Sequence, residues 1–200
     1  MDVVKTTVEV GALSLTIEHP PDPVELIDEK AFEREEFLPY WAELWPSAIA
    51  LALAVAELDL AGERVLELGC GLALPSIVAA RGGARVVATD WSSDALLFAS
   101  RNACRNGVDL ETRRVAWADS RCLEAGGAWS LVLCADVLYE RRNVEQLLAL
   151  LPSLGGEVLL ADPGRPALPA FLAGAAVAWD IEYRPAPELP RGGIHRLRSR

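Results

Sequence analysis

Apolar and polar positions alternate along residues 3–18, "VVKTTVEVGALSLTIE", about a central Gly11. Alternation of period two around a glycine predicts a short hairpin. A proline-rich connector, "HPPDPVELID", follows. From Glu29 to Leu58 the pattern turns helical, with breaks near Pro39 and Pro46. Its last part, "PSAIALALAVAEL", is apolar on nearly every side and predicts a buried helix.

After Ala61 short apolar runs and helical stretches take turns. Strands are expected at 64–68, 84–89, 111–117, 130–135, 156–162, 177–183 and 193–199. Helices are expected at Leu72–Arg81, stopped by Gly82 and Gly83, and at Asp94–Asn106, capped by Ser92 or Ser93 and ended by Gly107. Two more fall at 143–151 and 166–174. The runs at 64–68, 84–89, 130–135 and 156–162 are nearly continuous in apolar residues, as parallel strands buried on both faces are. Right-handed crossovers then give an α/β, doubly wound, seven-stranded and mostly parallel sheet with helices on both faces. No helical stretch separates the last two strands, so they should close the sheet as an antiparallel hairpin.

Length and composition fit one domain: 200 residues, 52% hydrophobic. Residues 1–60 form the hairpin and helical cover of this single domain, and residues 61–200 its core. The longest apolar run, from Ala48 up to Glu57, is too short for a bilayer, which needs about 20 residues. "MDVVKTTVEV" lacks the basic-then-apolar pattern of a secretory signal, which points to a cytoplasmic protein away from membranes. Cys70, Cys104, Cys122 and Cys134 form no CxxC pair, so small buried thiols are expected rather than a metal site or disulfides.

Charge is uneven. Residues 1–60 hold 13 acids and 3 bases, so the whole net charge of −10 falls there. Nucleic acid is a poor partner for such a chain, because binding phosphates needs a basic surface. The acidic stretch either attracts a basic substrate or serves solubility alone.

The chemistry concentrates where the first core strand meets its helix, in "ELGCGLALPS". Gly69 and Gly71, flanking Cys70, allow a sharp turn and close approach to a ligand. Asp90 ends the next strand, 21 residues beyond Gly69, where an acid can accept both hydroxyls of a ribose. Turn and acid together describe a nucleoside site. A dinucleotide needs a third glycine so that its pyrophosphate can sit on the helix, but Leu74 and then Pro75 stand there. Glu67 would also repel a pyrophosphate. A cationic or zwitterionic ligand suits it, and S-adenosylmethionine carries a sulfonium and an ammonium without phosphate. The alternative for Glu67 is a strand-end acid paired with a neighbour. Trp117 and Asp119 follow the third strand, where an indole can stack on adenine and a carboxylate can accept from its amine. For Trp117 the alternative is plain core packing.

"VLELGCGLALPS", "VVATDWSSDALLFASRNACRNG" and "CADVLYE" together resemble the class I S-adenosylmethionine-dependent methyltransferases. More narrowly the chain is similar to the methyltransferase family 16 group, which includes the seven-β-strand protein lysine methyltransferases. "FLPYWAELWPSAIALA" looks like that group's segment before the first core strand, and the likeness spans about residues 37–162. The resemblance implies a Rossmann-like core in which Glu67, Gly69, Cys70 and Gly71 line the methionine end of the cofactor. It implies that Asp90 binds ribose with Trp91 beside the adenine region, that Trp117 and Ala135 line the pocket and that Trp45 covers it; Ala118-Asp119 departs from the group's commonest pattern, in which a glycine follows the tryptophan. Asp136 and Tyr139, in the acid-x-x-aromatic motif, would face the acceptor as catalytic residues. The alternative for "DVLY" is a helix-capping acid beside a packing tyrosine. The implied reaction is methyl transfer to a lysine of a protein by a monomeric enzyme, without metal and with S-adenosylhomocysteine as product. A small-molecule acceptor, a dinucleotide-dependent oxidoreductase and a non-catalytic cofactor-binding module are the other readings.

Overall fold

The computed structural model describes residues 2–22, 39–119, 121–124 and 127–200. The expected helix over residues 29–38 lies outside them. The alternating segment forms the hairpin, with β1 (Val4–Val10) antiparallel to β2 (Leu13–His19) and Val10 opposite Leu13. A single 3-10 turn, Tyr40–Ala42, leads into α1 (Pro46–Ala56), which starts on the proline that breaks the preceding segment.

The core then alternates as β3 (Arg64–Leu68), α2 (Leu74–Arg81), β4 (Arg85–Asp90), α3 (Ser93–Arg105) and β5 (Glu111–Arg114). It continues through short α4 (Arg121–Glu124), β6 (Leu131–Ala135), α5 (Arg141–Leu154), β7 (Glu157–Asp162), α6 (Leu168–Ala175), β8 (Trp179–Pro185) and β9 (Gly193–Ser199). Strand order in the sheet is β5-β4-β3-β6-β7-β9-β8. The first five are parallel, while β9 runs antiparallel to both β7 and β8. The chain winds outward from β3 through β4 to β5, then returns to the other side of β3 as β6. That reversal opens a crevice at the carboxyl ends of β3 and β6.

Strand alternation divides the core into two layers. Val65, Leu133 and Leu159 pack with Leu51, Ile77 and Phe98 and with Val10 and Ile17 of the hairpin. Leu66, Val132 and Leu160 pack with Leu147, Leu151 and Phe171 on the opposite face. The hairpin is tied down by two asparagine side chains four residues apart, Asn102 on α3 and Asn106 at its C-terminal cap. Asn106 accepts from Thr16 N at 3.0 Å and donates to Thr16 O at 2.9 Å; Asn102 accepts from Glu18 N at 2.7 Å and donates to Glu18 O at 3.1 Å. The two amides thus read the outer edge of β2 as a third strand would. Glu18, itself buried, also pairs with Arg105.

Three expectations are corrected. The third strand ends at Arg114, not at 117, because the chain turns after Val115 into a 3-10 turn, Trp117–Asp119. Helix α5 runs through Pro152 to Leu154, three residues beyond the expected end, although the proline removes one hydrogen bond of its last turn. Cys70 and Cys134 are buried, but Cys104 and Cys122 are exposed, on α3 and on α4. Among the described residues no helix is long and apolar enough to cross a membrane.

Candidate functional site

At the end of β3 the backbone turns through Gly69 (φ +70°) and Gly71 (φ +49°), both left-handed. A Cβ on Gly71 would stand 3.3 Å from Trp41 O, and one on Gly69 would stand 3.4 Å from Val137 Cγ1. Ala73 is also left-handed (φ +62°), and its N–H closes the turn on Cys70 O at 2.7 Å. Leu74 and Pro75 are fully buried at the start of α2, so they fill the place where a third glycine would admit a phosphate.

Two acids meet at this turn. Glu67 is 1% exposed, and its Oε2 accepts from Ser76 N at 3.0 Å and from Ser76 Oγ at 2.5 Å. Burial nevertheless outweighs these bonds and pushes its pKa up to about 8. Glu67 is thus a strand-end acid paired with a neighbour, and it also lines the cavity. Asp90 Oδ2 accepts from Gly71 N at 3.0 Å and Oδ1 from Ser92 N at 2.9 Å. One carboxylate therefore fixes the glycine turn and the start of α3 together. Burial raises its pKa, against the bonds from Ser92 and Gly71. Burial likewise pushes the Cys70 thiol up, so it lines the cavity as a neutral group.

Aromatic side chains wall the crevice. Trp45, the residue before α1, donates Nε1 to Tyr40 O at 2.7 Å, which folds the segment from 40 to 45 onto itself. The rings of Tyr40 and Tyr139 lie 5.1 Å apart between centroids. Trp91, whose carbonyl accepts from Arg114 Nε at 2.8 Å, and Trp117, whose Cζ2 would lie 3.5 Å from a Cβ on Gly69, also line the crevice. The Tyr139 pKa is pushed up to about 12, mainly by burial and then by the Asp90 and Glu140 charges.

Asp136, at the head of "DVLY", is engaged in a way the sequence did not announce. Asp136 is left-handed (φ +54°), and its N–H donates to Ala161 O at 2.9 Å. Arg165 grips its carboxylate with both ends of the guanidinium, Nε to Oδ1 at 2.8 Å and Nη2 to Oδ2 at 2.9 Å. Arg165 follows β7, and Asp162 Oδ1 holds it by accepting from Gly164 N at 2.8 Å and Arg165 N at 2.7 Å. Its guanidinium carbon lies 5.9 Å from the Trp45 ring centroid.

These groups enclose a cavity of about 610 Å³, within the usual range for a small-molecule site. Of the residues singled out from sequence, Trp45, Glu67, Gly69, Cys70, Gly71, Asp90, Trp91, Trp117, Ala135, Asp136 and Tyr139 all line it. Asp119 does not. It is exposed at the end of the 3-10 turn, which carries it away from the cavity because β5 stops short. Tyr40, Trp41, Arg114, Arg142, Asn143, Gln146 and Arg165 line the cavity as well. Of these, Arg165 carried a usable signal, since it sits just past the carboxyl end of a parallel strand.

A family described as lysine methyltransferase matches residues 38–159. Protein N-lysine methyltransferase METTL21A of Danio rerio is 34% identical over 120 residues, covering 56% of this chain and 55% of that protein. Ubiquinone biosynthesis O-methyltransferase of Xanthomonas euvesicatoria pv. vesicatoria is 32% identical over 150 residues, covering 74% of this chain and 60% of that protein. The chain thus spans less than two thirds of the length of either relative. Among solved structures, ribosomal protein L11 methylase from Lactobacillus delbrueckii subsp. bulgaricus superposes with a TM-score of 0.58 at 25% identity, over 75% of this chain and 78% of that one.

Proposed function

Because the chain belongs to the lysine methyltransferase family, whose match covers residues 38–159, we propose that it methylates the side-chain amine of a lysine in a protein, using S-adenosylmethionine. One observation carries the cofactor assignment: Glu67 and Asp90 both bring buried carboxylates to the glycine turn, while Leu74 fills the phosphate position. That donor set fits a ligand with an ammonium and ribose hydroxyls. Glu67 would hold the amino-acid end, Asp90 the ribose, and Trp91 and Trp117 the adenine. Asp119 has no part in this arrangement.

When bound, the cofactor supplies a methyl group already activated by a sulfonium. The protein's task is alignment of a neutral nucleophile with that methyl. Transfer to the amine nitrogen would form an N–C bond at the expense of the cofactor's C–S bond, with S-adenosylhomocysteine as the product. The amine's proton goes to solvent. Tyr139, with its pKa at about 12, stays protonated and acts through hydrogen bonding rather than as a base. Tyr40, Trp41 and Trp45 line the cavity from the segment before α1.

Calorimetry with S-adenosylhomocysteine tests the cofactor, and absence of heat would remove the proposal. Labelling a methyl-depleted lysate with heavy S-adenosylmethionine tests the acceptor, with N-methyl-lysine in protein as the expected product. The likeness to an O-methyltransferase of ubiquinone biosynthesis supports a second reading, a small-molecule acceptor, and label confined to the small-molecule fraction would select it.

A further inference from the structure

Asp136 heads the acceptor motif, yet both its oxygens are taken by Arg165. A bare carboxylate here would be a poor host for methyl transfer. It would stabilise an incoming lysine as the ammonium, raise that amine's pKa and withhold the lone pair. A guanidinium bound through both prongs cancels that field at close range.

Arg165 is built to stay in place. Asp162, wholly buried, holds its backbone N–H through Oδ1. A Cβ on the preceding Gly164 (φ +91°) would stand 2.5 Å from Arg191 O, so the turn is packed closely against the β8–β9 connection. The Arg165 side chain is one-third exposed and the Asp136 side chain 7%. The pair thus borders the cavity between the acceptor motif and Trp45.

Resting on the lysine-methylation reading above, we propose that Arg165 is a positioning residue that neutralises Asp136, so that the acceptor enters this site as the free amine. The ammonium leaves its proton in bulk water. Among the described residues, the other charged or titratable groups around the cavity are Tyr40 and Glu43 before α1, Glu67 and Cys70 at the end of β3, and Asp90 from β4. Arg114 from β5, Tyr139 and Arg142 after β6, and Asp162 behind Arg165 complete the set.

The test uses n-butylamine as a lysine side-chain probe, titrated by calorimetry into protein saturated with S-adenosylhomocysteine at pH 7 and pH 10. The unaltered protein should bind it more tightly at pH 10, where more free amine exists. Arg165→Gln leaves Asp136 bare and should reverse the preference, with affinity at pH 7 rising about tenfold or more. Arg165→Lys should restore the original order, and so should the doubly neutral Arg165→Gln/Asp136→Asn. Equal pH dependence in all four proteins overturns the inference, as does absence of butylamine binding to the unaltered complex. Loss of S-adenosylhomocysteine binding in Arg165→Gln alone also overturns it, since Arg165 would then serve the cofactor. No S-adenosylhomocysteine binding by the unaltered protein is a different failure, that of the underlying function.

Discussion

Ser76 gives its backbone N–H and its hydroxyl to the same oxygen of Glu67, at 3.0 and 2.5 Å. The acid is thus held from the helix side while it lines the cavity. Burial still raises its pKa from 4.5 to about 8. The folded protein therefore binds a proton that the unfolded chain has lost between those values. The stabilisation is complete below about pH 4.5 and disappears as pH rises through about 8. Without ligand, the thermal midpoint of the unaltered protein should fall relative to Glu67→Gln between pH 5 and pH 8.5. Parallel melting curves across that window would contradict the assignment.

The same group predicts a proton count on binding. An ammonium opposite Glu67 favours the carboxylate, so binding S-adenosylhomocysteine near pH 7 should release a proton. Calorimetry in two buffers of different ionisation enthalpy measures it. Glu67→Gln should release less and bind more weakly.

Asp90 holds the backbone of Gly71 and of Ser92 through separate oxygens. Asp90→Ala should weaken S-adenosylhomocysteine binding by about 1–3 kcal/mol, from lost ribose bonds and a loosened turn. An unchanged Kd by calorimetry would place the ribose elsewhere.

Gly71→Ala and Gly107→Ala make an informative pair. Both sites have positive φ, +49° and +68°, so each substitution should cost about 1–2 kcal/mol in a urea melt. Only Gly71 faces a close neighbour, Trp41 O at 3.3 Å from the added carbon, while Gly107 has open space. Gly71→Ala alone should weaken cofactor-product binding.

Asn102 joins the hairpin to the glycine turn, donating to Glu18 O at 3.1 Å and Leu72 O at 3.2 Å. Asn102→Ala strands these buried carbonyls and the Glu18 N–H. It should cost about 3 kcal/mol by urea midpoint and also weaken S-adenosylhomocysteine binding. Asn106→Ala touches only Thr16 and its own helix, so its effect should be confined to stability.

Much of the sheet was legible because each strand is a local run of apolar residues bounded by glycine or a cap. Glycines 69 and 71 and Asp90 were legible for a related reason, since turn geometry and strand ends are local. The Asp136–Arg165 pair was not, because it joins residues 29 apart whose loops meet only when β6 and β7 pair. Asp119 misled because "AWADS" reads as a strand end while the chain has already left the sheet after Arg114. The asparagine bridge was invisible for the same long-range reason: Asn102 lies 84 residues from Glu18.

Strand β9 sits between β7 and β8. Order in space therefore departs from order of synthesis, and β8 leaves the ribosome before the strand that joins it to the sheet. Until residues 193–199 emerge, β7 offers an open row of backbone donors and acceptors. A nascent chain paused there exposes a template for pairing with another molecule. Arrival of β9 covers that edge of β7 and carries the exposed outer strand out to β8.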